Sequence, residues 1–363
     1  MAQLKDYVIV QPKSKIKAGE GLNEGEYKFF TSSNTQSKWL NQYQYDKPAL
    51  IFGTGGMASV HFCDTPFSTS TDCIVMYAKD NFNLEYVYYY LESHMYILEN
   101  GFKGVGLKHI SKEYILSISI PEVDFCQQES LIASARKIDE IIYARQNQLT
   151  KLDELVKSRF IEMFGFLEEP TKEFPKDILK NLCKKITDGK HGGCTLEKGT
   201  GRYFVGAREI YNDTVHYDTA PEINVSEFEK DYKRCNVEIG DFLIVNTGAT
   251  IGKSAITVDP RTECTLLQKS VALLKVKREV LNPIFLQYCY KVNDTMYRVE
   301  SASAQPNLLL SKINSTEIYV PSMEEQNQFA VFAKHTNKLK FEVENSLEKL
   351  KIMKNTIMQQ YFG

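Results

Sequence analysis

The sequence predicts an α+β protein: two similar mixed α/β domains separated by two long antiparallel helices, forming a pseudo-two-fold repeat. Three observations predict it. Each half of the chain ends in a long helical pattern that stops at Phe-Gly, at Phe164-Gly165 and again at Phe362-Gly363. A proline boundary followed by acidic and Gln-rich residues precedes each pattern. A strand–turn–strand unit with glycine in its turn lies upstream of each boundary. A repeat of this kind sets the whole architecture, so it precedes any reading of single motifs.

The helices follow from periodicity. In the first, Leu131, Ala135, Ile138, Ile142, Arg145, Leu149, Leu152, Val156, Arg159 and Met163 alternate steps of four and three, and eight of these ten are apolar. That is a sustained heptad stripe. No Gly or Pro interrupts residues 122 to 164. About 38 residues rising 1.5 Å each would make a rod of roughly 57 Å. The second helix carries Phe329, Ala333, Thr336, Lys340, Val343, Leu347, Leu350, Lys354, Ile357 and Tyr361 at the same steps. It is more polar early, and Phe332, Leu339 and Met353 are expected to fill part of the stripe. Leu149, Lys151, Leu152, Phe164 and Gly165 match Leu347, Lys349, Leu350, Phe362 and Gly363 at a constant offset. Asp124 to Glu129 and Glu324 to Gln328 supply the acidic starts that favour a helix N-terminus. Packing between the helices is expected at Leu131, Ile138, Ile142, Leu149, Leu152 and Val156. On the second helix it is expected at Leu339, Leu347, Leu350 and Ile357. A spacer pair, a domain-packing pair and a coiled-coil homodimer all fit this pattern.

The strand-rich parts read as hairpins. Ala49-Leu-Ile-Phe-Gly-Thr-Gly-Gly-Met-Ala-Ser-Val-His has a partner in Phe242-Leu-Ile-Val-Asn-Thr-Gly-Ala-Thr-Ile-Gly-Lys-Ser-Ala. β-branched and apolar runs flanking a glycine turn are the hairpin signature. The expected organisation is a first globular domain over 1–120, a long helix over 121–165, a second globular domain over 166–320 and a second helix over 321–363.

Composition sets limits. The 363 residues carry 44 Lys and Arg against 46 Asp and Glu, a formal charge of −2. That argues against a protein that binds polyanions by bulk basicity, while leaving local basic loops open. No apolar run approaches the roughly 20 residues of a membrane span, and the first ten residues lack a signal-peptide layout. A cytoplasmic protein with no membrane partner is the expectation. The eight cysteines include no C-x-x-C pair, as expected of reduced core thiols rather than a zinc site.

Catalytic motifs fail on spacing and context. Gly248-Ala-Thr-Ile-Gly-Lys253-Ser254 is one residue short of a phosphate-binding loop and leads into a strand pattern, not a helix. Asn282-Pro-Ile-Phe285 lacks the second proline of an amino-methyltransferase loop. Gly53-Thr-Gly-Gly56 sits in a hairpin, outside the strand-to-helix setting of a dinucleotide site. The six histidines show no metal spacing. The chain reads as a binder.

Two loops suit an anionic ligand, and a third segment suits base edges. Gly101 to Lys112 sets Lys103, Lys108, His109 and Lys112 among glycines, which let backbone approach a phosphate. Cys183 to Gly193 contains Lys185, Thr187, Lys190 and His191. Thr31, Ser32, Ser33, Asn34, Thr35 and Gln36 form a polar cluster able to donate and accept at base edges. Each composition also suits an exposed turn.

With these residues in view, the chain resembles the specificity subunit of type I restriction–modification systems over nearly its whole length. The repeat and the Leu-rich helices ending in Phe-Gly are similar to that family's two conserved regions. Gly53–Val60, Phe67–Asp72 and Phe102–Ile110 look like its first target-recognition domain. Ile186–His191, Gly240–Lys253 and Ser303–Asn307 look like its second. The first domain starts almost at the N-terminus, so it is expected to be short, without the N-terminal segment of longer relatives.

The resemblance implies a protein with no catalysis and no bound cofactor or metal of its own. Each target-recognition domain would read one half of a bipartite site in double-stranded DNA. The helices would set the spacer and dock two modification (methyltransferase) subunits. S-adenosylmethionine, ATP and Mg would belong to those and to the restriction subunits. Carried onto this chain, DNA contact is expected at Thr31, Ser32, Ser33, Asn34, Lys103, Lys108, His109, Lys185, Thr187, Lys190, His191, Thr247, Lys253 and Gln305. Two other classes stay open on residues alone: a DNA-modifying enzyme with an unrecognised active site, and a helical scaffold that does not read DNA.

Overall fold

The computed structural model describes residues 2–79, 82–298 and 307–362. The chain divides into two compact units. The first comprises residues 1–147 and 344–363, and the second comprises 148–343. Each is mixed α/β.

The first unit is built on a four-stranded antiparallel sheet in the order Val8–Val10, Cys73–Ala78, Ala49–Gly53, Ser59–Cys63. The central strand Ala49–Gly53 is buried along its whole length, as an apolar run covered on both faces must be. One face packs on the helix Leu84–Ser93, whose Tyr86, Val87, Tyr90 and Leu91 are buried. Tyr27–Phe30 pairs in parallel with Phe67–Thr69, and Phe30 and Phe67 meet edge to face. Ala2–Gln3 pairs antiparallel with Ser119–Ile120.

The second unit repeats this list. Its four-stranded antiparallel sheet runs Cys183–Asp188, Val271–Val276, Phe242–Val245, Ser254–Ile256. Tyr203–Val205 pairs in parallel with Thr265–Leu267, and Lys176–Ile178 pairs antiparallel with Glu317–Tyr319. The helix Pro283–Val292 stands where Leu84–Ser93 stands in the first unit. Its start is fixed by Asn282, whose side chain accepts from the Ile284 N–H, with proline at the first helical position. The second unit adds a longer excursion between its parallel strand and Phe242, containing the helix Val225–Asp231.

The two long helices are Phe125–Phe164 and Met323–Phe362, 40 residues each and offset by 198 positions. Asp124 caps the first through the Gln127 N–H, and Ser322 and Glu325 form a reciprocal capping box on the second. The first ends where Gly165 takes a φ of +76°, a left-handed stop that glycine adopts without Cβ strain. Each unit takes the beginning of one long helix and the end of the other, running antiparallel. In the first unit Asp139 meets Lys354, while Met358 packs in the core that holds Leu131 and Ala135. In the second, Asp153 meets Lys340, while Phe160 packs edge to face on Phe329.

The stripe residues Leu131, Ala135, Ile138, Val156, Phe329, Ala333 and Val343 are buried. Ile142, Leu149, Leu152, Leu347, Leu350 and Ile357 are half-buried. Leu339 and Met353 depart from the expected fill and are 52% and 44% exposed. The inward positions go to Thr336, Lys340 and Lys354 instead. The reason is charge pairing: each lysine finds a carboxylate inside its own unit, so the heptad geometry holds without an apolar side chain there. In the second unit Phe160, Phe164, Phe285, Phe329 and Tyr319 form one aromatic cluster. The Tyr319 hydroxyl donates to the Gly165 carbonyl at 2.8 Å.

Candidate nucleic-acid interface

In the first unit the turn after the central strand, Thr54 to Ala58, is the meeting point of three other segments. The Thr54 N–H donates to the Asp72 carbonyl at 2.9 Å, and the Thr54 and Ser32 hydroxyls donate to the same oxygen at 3.0 and 2.8 Å. The Ile110 N–H donates to the Thr54 carbonyl at 3.1 Å, and the Gly56 N–H to the Lys108 carbonyl at 3.2 Å. His109 Nδ1 lies 3.1 Å from the Thr54 carbonyl, and His61 Nε2 lies 2.8 Å from the Ser33 carbonyl. Burial lowers the His61 pKa against the opposing pull of that carbonyl.

These bonds bring together residues 31–34, 54–56, 72 and 103–109. The polar cluster and the first basic loop are therefore one surface, although about 70 residues separate them in sequence. Lys103, Lys108 and His109 are exposed on it, as are Ser33 and Asn34, while Thr31 and Ser32 are half-buried. A cleft of about 630 Å³ opens beside the loops, lined among others by Asn34, Met57, His61, Tyr88, Phe102 and Lys108.

The second unit builds the same junction. The Asn246 N–H donates to the Ser270 carbonyl at 3.0 Å, and the Leu308 N–H donates to the Asn246 carbonyl at 2.7 Å. These bonds are the counterparts of Thr54 to Asp72 and Ile110 to Thr54. Thr247 bridges to Asn307, its hydroxyl 3.3 Å from the Asn307 Oδ1. A cleft of about 400 Å³ is lined by Lys190, Gly192, Thr247, Gln268, Ser270 and Asn307, with Lys269 beside them.

Thr247 and Lys190 are thus brought together, but Lys190 is not a free cation. Its Nζ pairs with Asp231 at 2.6 Å and approaches Glu227 at 3.8 Å, both on the added helix. That hydrogen bond to Asp231 raises its pKa. His191 is exposed, 3.2 Å from Asp188 Oδ2. Lys185 is half-buried and donates to the Lys233 carbonyl at 3.4 Å. Thr187 lies on the same strand, its hydroxyl against the Asp188 carbonyl. Lys253 is exposed at the end of the hairpin turn, its carbonyl accepting from the Val245 N–H at 2.8 Å. Gln305 lies outside the described residues.

Asp188 is the hub of the second site. It is nearly buried and accepts from Arg234 as well as facing His191. Burial alone would raise its carboxyl pKa, and Arg234 and His191 together outweigh that and lower it.

Sequence reasoning singled out none of Gln268, Lys269 and Ser270 in the second unit, and held Asn307 there and Met57 and His61 in the first only inside longer strings. The repeat held the signal for two of them. Asp72 and Ser270, like His109 and Asn307, stand at the same 198-residue offset as the long helices. Among the described residues, no group of three or more His, Cys, Asp or Glu side chains could hold a metal ion. No helix among them is long and apolar enough to cross a membrane.

Comparison with known proteins places these features. Residues 1–159 and 176–351 match the model of a family described as the type I restriction modification DNA specificity domain. The fold is similar to a crystal structure of the type I restriction–modification system S subunit from M. genitalium. That match covers 100% of this chain and 95% of the other at 16% identity, with a TM-score of 0.62. A second structure concerns the structural basis of complex assembly and conformational transition of the type I R-M system. It covers 99% of this chain and 96% of its own at 14% identity, with a TM-score of 0.55. At these identities the likeness is one of fold.

Proposed function

Since the chain belongs to the type I restriction–modification DNA specificity domain family, and is the non-catalytic subunit that gives such a system its DNA sequence specificity, we propose how its parts divide that work. Residues 1–120 and 166–320 are two target-recognition domains, and each reads one half of a bipartite site in double-stranded DNA. The observation that carries this reading is the junction built twice, around Thr54, Asp72 and Ile110 and around Asn246, Ser270 and Leu308. Two equivalent surfaces on one chain suit two half-sites.

The contacts divide by chemistry. Lys103, Lys108 and Lys253 are exposed cations suited to phosphates, which fix register without reading sequence. Asn34, Thr247 and Asn307 offer donors and acceptors suited to base edges. A chain of net charge −2 needs help with the polyanion, and methyltransferase subunits that share the duplex would supply it.

The long helices set the unread spacer and dock two methyltransferase subunits. In support, they leave Tyr143, Leu155, Leu339, Phe341 and Ile352 exposed outside the cores of their units. This chain contributes no cofactor chemistry. S-adenosylmethionine is assigned to the methyltransferase subunits, and ATP and Mg to restriction subunits of the complex. The complex works in the cytoplasm, where its DNA is.

The test is a genome-wide map of modified adenines in the host with this gene intact and deleted. Loss of a single motif, two short defined halves around a fixed gap, is the expected result. An unchanged map, together with failure of the purified chain to capture a methyltransferase subunit, would overturn the assignment of parts.

A further inference from the structure

We propose that the loop Lys103–His109 reads thymine in its half of the DNA target, through contact of Val105 and Leu107 with the C5 methyl group. The inference rests on the reading of the first unit as a DNA-recognition surface and deepens it.

The loop is a built projection. Lys103 and His109 exchange two backbone hydrogen bonds of 2.9 Å, which close a tip of five residues. Within the tip Gly104 and Gly106 have φ of +135° and +90°, a conformation that side chains other than glycine strain to adopt. Between and after them stand Val105, fully exposed, and Leu107, 76% exposed. The tip is tied to the hairpin turn by the Gly56–Lys108 bond and the His109–Thr54 contact, and that turn presents Met57, also exposed. Three apolar side chains thus stand on two loops that are held together.

Charge says what covers them. From Asn100 to Lys112 the segment carries three lysines and a histidine and no carboxylate. An apolar tip set in such a segment fits a polyanion that exposes apolar groups between its phosphates. In the DNA grooves the thymine methyl is the base-edge group of that kind, and it lies in the major groove.

Polar readout by several neighbouring groups is restricted, and Asn34 stands on a separate segment. The Ser32 and Thr54 hydroxyls are held by Asp72, the Ser33 hydroxyl by Thr35, and the His109 ring by Thr54. The lysines carry little sequence information against phosphate. That leaves the apolar pair as the sequence-reading element of this loop.

The experiment uses the full chain reconstituted with its methyltransferase subunits. A target motif is enriched from random duplex DNA, and affinity is then measured on that motif with each thymidine replaced by deoxyuridine. This replacement removes the methyl and leaves the hydrogen-bonding edge. At one or more positions in one half, affinity should fall about fourfold, the factor that corresponds to one buried methyl. V105A/L107A should remove that sensitivity and leave preference in the other half unchanged. A half without a T·A pair, tolerance of deoxyuridine by the wild type, or a penalty that persists in V105A/L107A would each overturn the proposal. Deoxyuridine tolerance combined with weakened binding by V105A/L107A would assign the tip to wedging between bases instead. Failure to enrich any motif would overturn the DNA-specificity reading itself, a separate outcome from the others.

Discussion

Lys354, near the end of the second long helix, places its Nζ 2.7 Å from Asp139 of the first long helix, and 2.7 Å from Glu92 as well. Tyr89 completes the group: its hydroxyl donates to Asp139 at 3.1 Å and its ring lies 5.4 Å from the lysine nitrogen. The lysine side chain is 12% exposed. A charge in that setting holds only because its partners are there. Its heptad position would ordinarily take an apolar residue, and three polar contacts replace the lost apolar packing.

Lys354→Met should therefore destabilise the first unit by about 1–3 kcal/mol, less than a fully buried pair because both carboxylates remain partly solvated. Burial works against the lysine charge, and Glu92 and Asp139 outweigh it and raise the pKa. A raised lysine pKa stabilises the fold below the unfolded value of about 10.4, and the contribution is lost as pH rises through the folded value. The melting-temperature gap between wild type and variant should be constant from pH 7 to 9 and close at strongly alkaline pH. A constant gap at all pH values would assign the effect to packing.

The Asp188 hub has the opposite pH signature. Its lowered carboxyl pKa contributes stability above the unfolded value of about 3.9, lost as pH falls through the lower folded value. Arg234→Met should leave Asp188 nearly buried without its main partner, costing about 1–3 kcal/mol at neutral pH. Acid unfolding followed by circular dichroism should then begin at a higher pH in the variant. Equal stability of wild type and variant in denaturant at pH 7 would show that Arg234 contributes nothing to the second unit.

Gly189 sits between that hub and the second cleft. A Cβ there would run into the Leu267 and Gln268 carbonyl oxygens, both main-chain atoms. Gly189→Ala should destabilise the second unit by about 3 kcal/mol or more, since backbone must move to admit the methyl. Hydrogen exchange should rise across Cys183–Asp188 and Thr265–Leu267 while the first unit keeps its protection. Unchanged exchange would mean the strand end can shift freely.

Lys103→Ala with Lys108→Ala tests phosphate contact directly. If each lysine neutralises one phosphate, the slope of log affinity against log salt should become shallower by about 1.8. Discrimination between target and non-target DNA should persist, because phosphate contacts position rather than specify. An unchanged slope would remove both lysines from the phosphate contacts.

Residues that obey a local period were legible in the sequence. The heptads gave the long helices, and the glycine turns at residues 53–56 and 248–252 gave hairpins between Ala49–Gly53 and Ser59–Cys63 and between Phe242–Val245 and Ser254–Ile256. Contacts between distant residues were not legible. Leu339 looked like stripe and is exposed, whereas Lys340 looked like a flaw and faces Asp153. Nothing local to Lys190 announces Asp231, because that partner arrives on a helix the first unit lacks. The basic loop and the serine cluster were separately suspected, but their union depends on Asp72 and Thr54, whose role is carried by backbone carbonyls that sequence does not distinguish.

The first unit takes its last segment from residues 344–363, so its fold cannot close when its own 147 residues leave the ribosome. At about 5–20 residues per second, the missing piece arrives roughly 10–40 s later. During that interval the face around Leu131 and Ala135 waits without Met358, open to chaperones and proteases. Damage within residues 344–363 would likewise be felt first by the unit built around residues 1–147. A stop codon just before residue 344 would cripple the unit whose larger part was synthesised earlier.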